Sequence, residues 1–194
     1  MTSSNGGAER SRSLEMNNEL CHHGIKGQKW GVRRYQNPDG SLTDAGKRRQ
    51  VRELNSIYKH LDTKQKQYIM LTDHKKPPKR FTDNNEYKQY AMRSFLTYDG
   101  RKPVSAMTAW RDGDDDDQAS VSIMTRKDYQ RKGYGYKAVS DGMRWLKENG
   151  VKKAYWGAYV NNNPSINMAR RAGFKYWKKM NVSNGIANVY IKDL

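Results

Sequence analysis

Apolar and polar positions alternate in two different rhythms along this chain, and the change falls near residue 90. In SLTDAGKRRQVRELNSIYKHL (41–61), Val51, Leu54, Ile57, Tyr58 and Leu61 recur three and four apart. That spacing lines one face of a helix, and Thr43 or Ser41 can cap its start. TKQKQYIML (63–71) predicts a second short helix, broken by Pro77-Pro78, since paired prolines cannot continue one. From about 90 the period is two. YAMRSFLTYDGRKPVSAMTAWRDG (90–113) predicts two strands joined at Asp99-Gly100, a hairpin dipeptide. ASVSIMT (119–125) predicts a third strand, with Val121 and Ile123 alternating against Ser120 and Ser122.

A helical rhythm returns in YKAVSDGMRWLKENG (136–150), where Val139, Met143 and Leu146 share a face and Gly150 is the stop. KKAYWGAYV (152–160) predicts a strand. Asn163-Pro164 opens another helix, ending at Gly173, because proline suits the first helical position. FKYWKKMNV (174–182) and IANVYIKDL (186–194) predict two closing strands. The expected order is helices, three strands, helix, strand, helix, two strands, with no internal repeat.

Upstream of the first helix no period is present. Residues 1–18 are rich in Ser, Asn and Gly and predict disorder, while glycines at 24, 27 and 31 and NPDG at 37–40 predict loop and turn. We therefore expect an irregular basic segment over 1–42 and one folded domain over 43–194.

Composition narrows the class. Hydrophobic residues are only 35% of the 194, but thirteen tyrosines and five tryptophans compensate, since aromatics bury large areas. No apolar run approaches the roughly 20 residues a membrane span needs, and the N-terminus lacks the apolar core of a secretory signal. The single cysteine, Cys21, excludes an internal disulfide framework and fits a reducing compartment such as the cytoplasm. The net charge of +17 is spread: the first 60 residues hold 11 Lys/Arg against 6 Asp/Glu, the remainder 26 against 14. Such a surface suits a polyanion — nucleic acid, an acidic partner or a phosphorylated cofactor — or solubility alone.

The stretch YQRKGYGYKAV (129–139) carries the chemistry. A strand feeding a glycine turn and then a helix presents several N–H groups, and the helix dipole, to one point. Gly133 and Gly135 leave the main chain bare to an anion, and Arg131 and Lys132 add full charges. The competing reading is that the glycines only shape a tight turn.

Gln130, Gly133 and Gly135 resemble the acetyl-CoA signature of the GCN5-related N-acetyltransferases (GNAT superfamily): Gln or Arg, two variable residues, Gly, one variable residue, Gly or Ala. The family usually has Val and Pro where this chain has Thr125 and Lys127. NNNPSINMARRAGF (161–174) resembles the family's later motif through Asn162, Ser165 and Gly173-Phe174. The resemblance covers roughly 45–194. It implies an α/β (α+β) fold with a mixed central sheet, one splayed strand pair and flanking helices. It also implies acetyl-CoA as cosubstrate: amides of Arg131, Lys132, Gly133, Tyr134 and Gly135 on the pyrophosphate, Met124 and Thr125 on the pantetheine arm, and Asn162 and Ser165 against the same arm. Helix capping competes as a role for Asn162 and, more strongly, for Asn163. The helices at about 43–72 would wall the acceptor cleft.

Amine acetylation needs the acceptor deprotonated, the thioester carbonyl polarised and the leaving thiolate protonated. Many family members place a tyrosine acid four residues before the last motif's glycine; this chain has Ala169. Tyr159, Tyr134 and Tyr176 are the substitutes considered, with water. The family's usual Glu is absent from the signature strand, leaving Asp112 and the run Asp114–Asp117 as nearby carboxylates, whose competing reading is a solvated loop. Catalysis by proximity remains open.

HHGIKGQKWGVRRYQNPDGSLTDAGKRR (22–49) resembles a short N-terminal element on varied proteins from the head-gene region of tailed phages and prophages. That implies a phage or prophage protein, with residues 20–45 as a tag for a capsid or another virion partner. Cys21, His22 and His23 suggest a metal, but adjacent ligands rarely share a tetrahedral site and no second cluster exists, so no metal is expected. Trp30 among Lys and Arg fits a grip on single-stranded nucleic acid by stacking and charge, or equally a docking peptide. The reading is thus an acetyl-CoA-dependent N-acetyltransferase acting on an amine of a protein, peptide or small molecule in the host cytoplasm. The alternative is a virion component or binding module that keeps the fold without the chemistry.

Overall fold

The computed structural model describes residues 34–68, 91–111, 117–182 and 185–194. Disorder over 1–18, the 20–33 part of the tag, the Pro77-Pro78 break and Asp112 lie outside them.

The elements follow the predicted order. Helices α1 (Asp44–Lys59) and α2 (Thr63–Tyr68) precede strands β1 (Ala91–Asp99), β2 (Lys102–Arg111) and β3 (Gln118–Thr125). A 3-10 turn at Lys127–Tyr129 leads into α3 (Tyr134–Glu148), then β4 (Lys153–Tyr159), α4 (Asn163–Arg171), β5 (Lys175–Val182) and β6 (Gly185–Asp193). Thr43 caps α1, its hydroxyl accepting from the Gly46 N–H at 3.1 Å. Residues ahead of the cap are tied to the helix as well. The Thr43 hydroxyl donates to Arg34 O at 2.8 Å, and a bridge joins Gln36 to Leu42.

One six-stranded mixed sheet has the order β1-β2-β3-β4-β6-β5. Alternate strand residues face opposite sides, and each side has its own core. Ala138, Val139, Met143 and Leu146 of α3 and Ile166 and Ala169 of α4 pack with Met107, Val121, Trp156 and Tyr190. On the other side Leu54, Ile57 and Leu61 pack on Ala106 and Met124. These are the apolar faces read from the sequence, and β2, covered by helices on both sides, is buried over Val104–Ala109.

β5 is a strand, as expected, but an exposed one. It forms one sheet edge, and all of its residues but Val182 are exposed. After the buried Phe174, KYWKKMN has no alternation of burial because neither face of β5 is covered.

Candidate functional site

β3 and β4 are the only parallel pair in the sheet among the described residues, and they are paired over half their length. Register runs Gln118↔Lys153 to Val121↔Trp156 and stops. Beyond it β3 stays paired with β2 as far as Ser105↔Thr125, and β4 with β6 as far as Tyr159↔Ala187. Ser122–Thr125 and Gly157–Tyr159 therefore diverge, leaving a wedge walled by two strand edges. This is the predicted splay, with Met124 and Thr125 on it.

The wedge opens towards the glycine turn. Gly133 has φ +88°, a left-handed conformation that glycine adopts without penalty, and a Cβ there would meet nothing within 4 Å. Arg131 has φ +58°, unique among the described non-glycine residues; strain of this kind persists where surrounding structure enforces it. Gly133 is the N-cap of α3 and supplies no side-chain acceptor. The first helical bond runs from Lys137 N–H to Gly133 O. The N–H groups of Arg131, Lys132, Gly133 and Tyr134 accordingly find no acceptor among the described residues. Consecutive open amides with a left-handed residue between them form an anion-binding concavity at the positive end of a helix.

Gly135 has a packing role beside the amide role read from the sequence. It is buried, and a Cβ would lie 3.1 Å from Thr125 Oγ1 and 3.3 Å from Met168 Cε. Its hydrogen brings α3 close to β3, whereas Gly133 gives the anion access. Gln130, the signature's first residue, carries a buried Nε2 with no partner among the described residues. Arg126, 5% exposed at the end of β3, likewise has an unpartnered Nε. A buried donor lacking an acceptor at Gln130, next in sequence to the open amide row, fits a polyphosphate, since buried donors are rarely left unmade.

At the other lip of the wedge, Asn162 is the cap of α4: its Oδ1 accepts from the Ser165 N–H at 3.3 Å. Asn163 is the first helical residue, so the larger capping share assigned to it moves to Asn162. The Ser165 hydroxyl accepts from Trp156 Nε1 at 2.9 Å and so ties α4 to the last β4 residue that pairs with β3.

α2 bridges the wedge. Gln65 Nε2 donates to Thr125 O at 3.1 Å, Tyr68 OH donates to Asn161 Oδ1 at 3.4 Å, and the Tyr68 and Tyr159 rings lie 5.5 Å apart. Gln65, Tyr68 and Arg126 were not singled out in the sequence. Gln65 and Tyr68 sit in a short polar helix with no buried residue, so no periodicity marks them. Arg126 had a signal: it continues the inward alternation of Met124.

The three tyrosines proposed as acids separate in space. Tyr159 is buried at the parted end of β4. Tyr134 stands against Tyr129, 5.7 Å between centroids, and burial, followed by the Asp99 carboxylate, pushes its phenol up. Tyr176 is 55% exposed on β5 and packs edge-on to Tyr190. Ala169 is fully buried in the core.

Residues 54–174 match the family model described as the acetyltransferase (GNAT) family. The chain belongs to the GNAT family. Residues 13–37 match a second model, a family of unknown function. Solved structures share this fold. An acetyltransferase from Thermus thermophilus is 22% identical, covering 75% of this chain and 92% of its own, with a TM-score of 0.56. A putative acetyltransferase from Salmonella typhimurium, solved with its cofactor acetyl-CoA, is 16% identical over 75% and 89%, with a TM-score of 0.61. An N-acetyltransferase from Staphylococcus aureus is 14% identical over 75% and 93%, with a TM-score of 0.59. No curated protein matches. No described helix is long and apolar enough to cross a membrane.

Proposed function

We propose that this GNAT protein is an acetyl-CoA-dependent N-acetyltransferase acting on an amine of a protein, peptide or small molecule. The observation that carries the reading is the open row of N–H groups at Arg131–Tyr134 facing the parted ends of β3 and β4. The Salmonella relative with acetyl-CoA supports the cosubstrate. Acetyl-CoA supplies the activated acetyl thioester. In this chain the amides of Arg131 to Gly135 take the pyrophosphate, with Gln130 and Lys132 beside it. The strand edges at Met124 and Thr125 take the pantetheine amides, and Asn162 and Ser165 close the far lip. Ser105 Oγ donates to Met124 O at 2.9 Å and Gln65 to Thr125 O. Met124 O faces β2, whereas Thr125 O faces the wedge and accepts twice, so it can hold the arm beside Gln65.

Tyr159 holds the proton for the leaving sulfur, because Tyr134 is turned to Asp99 and Tyr176 lies on the outer strand. No described carboxylate is assigned as base, and orientation in the wedge beneath α2 supplies much of the rate. The acceptor enters past Tyr68 and Gln65.

Calorimetric titration with acetyl-CoA tests the cradle on native protein and on Gly133→Val. A β-branched residue resists φ +88° yet meets no neighbour, so the core survives while the amides turn away. At least a tenfold loss of affinity is expected; no binding by native protein removes the reading. Gly135 variants are unsuitable, because they also wedge α3 from β3.

Ala169 favours a second reading, a cofactor-binding module without chemistry. Acetyl-CoA binding with no thiol release across a panel of amines is its outcome. We also propose a phage or prophage origin, with residues 20–45 docking on a virion partner; its support is the resemblance of residues 22–49. Fusing residues 1–45 to a neutral carrier tests it, and no enrichment in particles overturns it.

A further inference from the structure

A cleft of about 520 Å³ lies away from the wedge, and it touches Arg93, Ser94, Phe95, Leu96 and Tyr98 of β1. Successive strand residues point to opposite faces. A cleft that meets both sets therefore runs along the strand's edge and not over a face. β1 is that edge, with β2 on its inner side alone among the described residues. α1 forms one wall through Gly46, Arg49, Gln50 and Glu53; Asp141 of α3 stands on the other side; Arg34 and Tyr35 close one end.

A side chain already does part of a strand's work here. Gln50 Nε2 donates to Ser94 O at 2.9 Å, which shows that the main chain of Ser94 points outwards into the cleft. In an antiparallel ladder the residue two further on points the same way, so the N–H and C=O of Leu96 also face out, with no partner among the described residues. The cleft thus presents a ladder position to an incoming backbone.

The walls select its charge. Glu53 is satisfied, accepting from Arg49 Nε at 2.9 Å and Tyr98 OH at 3.0 Å. Asp141 is held by Lys137 at 3.1 Å and Arg144 at 3.8 Å. Arg34 and Arg93 have no carboxylate among the described residues. Arg34 lies 5.4 Å over Tyr35, and Arg93 lies 5.6 and 5.4 Å from the Phe95 and Trp145 rings. Two arginines flank a strand edge that no other described strand covers, and the acids of the cleft are already paired.

We propose that this cleft binds an acidic, extended segment of a partner polypeptide, which adds a strand to the outer edge of β1. The backbone of Leu96 supplies pairing and Arg34 and Arg93 supply selection, the mode in which ladder bonds give affinity and alternate side chains give specificity. The inference is independent of acetyl transfer.

The test is fluorescence anisotropy of a labelled octapeptide alternating Glu and Val, titrated with the full chain. Three further probes are used: the Lys/Val peptide, a Glu/Val peptide N-methylated at alternate residues, and unlabelled acetyl-CoA. Saturable binding of the first peptide is expected. Arg93→Glu should weaken it at least tenfold, with acetyl-CoA affinity unchanged. N-methylation should abolish binding without altering charge, which keeps the test decisive even if Arg93→Glu folds poorly. No saturable binding overturns the proposal, as does equal binding of the N-methylated or Lys/Val peptide. A dimer in sedimentation that the peptide fails to displace assigns the edge to a second copy and overturns it as well.

Discussion

The two ends of the β3–β4 pair are made by the same strands and differ in what their neighbours allow. At the closed end, Val121 stands opposite Trp156, each side chain buried in the helix-covered core. At the open end, Thr125 and Tyr159 follow different partners, β2 and β6, and Gln65 and Tyr68 of α2 cross the gap. The difference teaches a division of labour. Packing that closes one end holds the strands so that the other stays parted, and the parted main chain is what a peptide-like arm can pair with. Stability is concentrated at the closed end and binding at the open one.

That division can be broken by substitution, and the largest effect is expected at the closed end. Trp156→Ala removes a side chain that is 1% exposed and should cost about 3–5 kcal/mol in urea unfolding. Gly135→Val should cost about 1–3 kcal/mol through overpacking against Thr125 and Met168, and should also weaken acetyl-CoA binding, because it moves the helix end that carries the amides. Asn162→Ala should cost about 1 kcal/mol by loss of the α4 cap, read from the thermal midpoint. Tyr159→Phe sharpens the contrast: we expect a midpoint within a few degrees of native and kcat lowered about a hundredfold, within the range for a lost general acid. A native rate would return the proton to water.

The smallest effect concerns pH. Burial, then the Glu53 charge, pushes the Tyr98 phenol up to about 12 from 10.0. The neutral form is favoured in the folded state, so the unfolded chain ionises first. Stability falls as pH rises from about 10 towards 12 and is unaffected below. Tyr98 is 39% exposed, so solvent screening reduces the loss to about 1 kcal/mol. Tyr98→Phe should flatten unfolding free energy over that interval.

Much of the fold was legible because local signals agreed with tertiary packing. The cap at Thr43, the Asp99-Gly100 turn and the faces of α1 and α3 each act within a few residues. The glycine turn at 133 was legible for the same reason, though its left-handed φ was not read. The wedge was not legible from periodicity, since it depends on where a parallel register stops, and family resemblance supplied it. Gln65 was hidden because its partner lies 60 residues away. The packing role of Gly135 was hidden because close helix–strand approach and anion access call for the same residue.

At the opposite edge of the sheet, β5 shows water Tyr176, Trp177 and Met180 and spaces them with Lys175, Lys178 and Lys179. An exposed apolar edge invites another edge, and lysines oppose that contact by repulsion. Salt shortens the reach of that repulsion to about 8 Å at 0.15 M and about 3 Å at 1 M. Concentrated salt should therefore make this protein cluster; light scattering that stays flat from low to molar salt would show that the ammonium groups are not what keeps it dispersed.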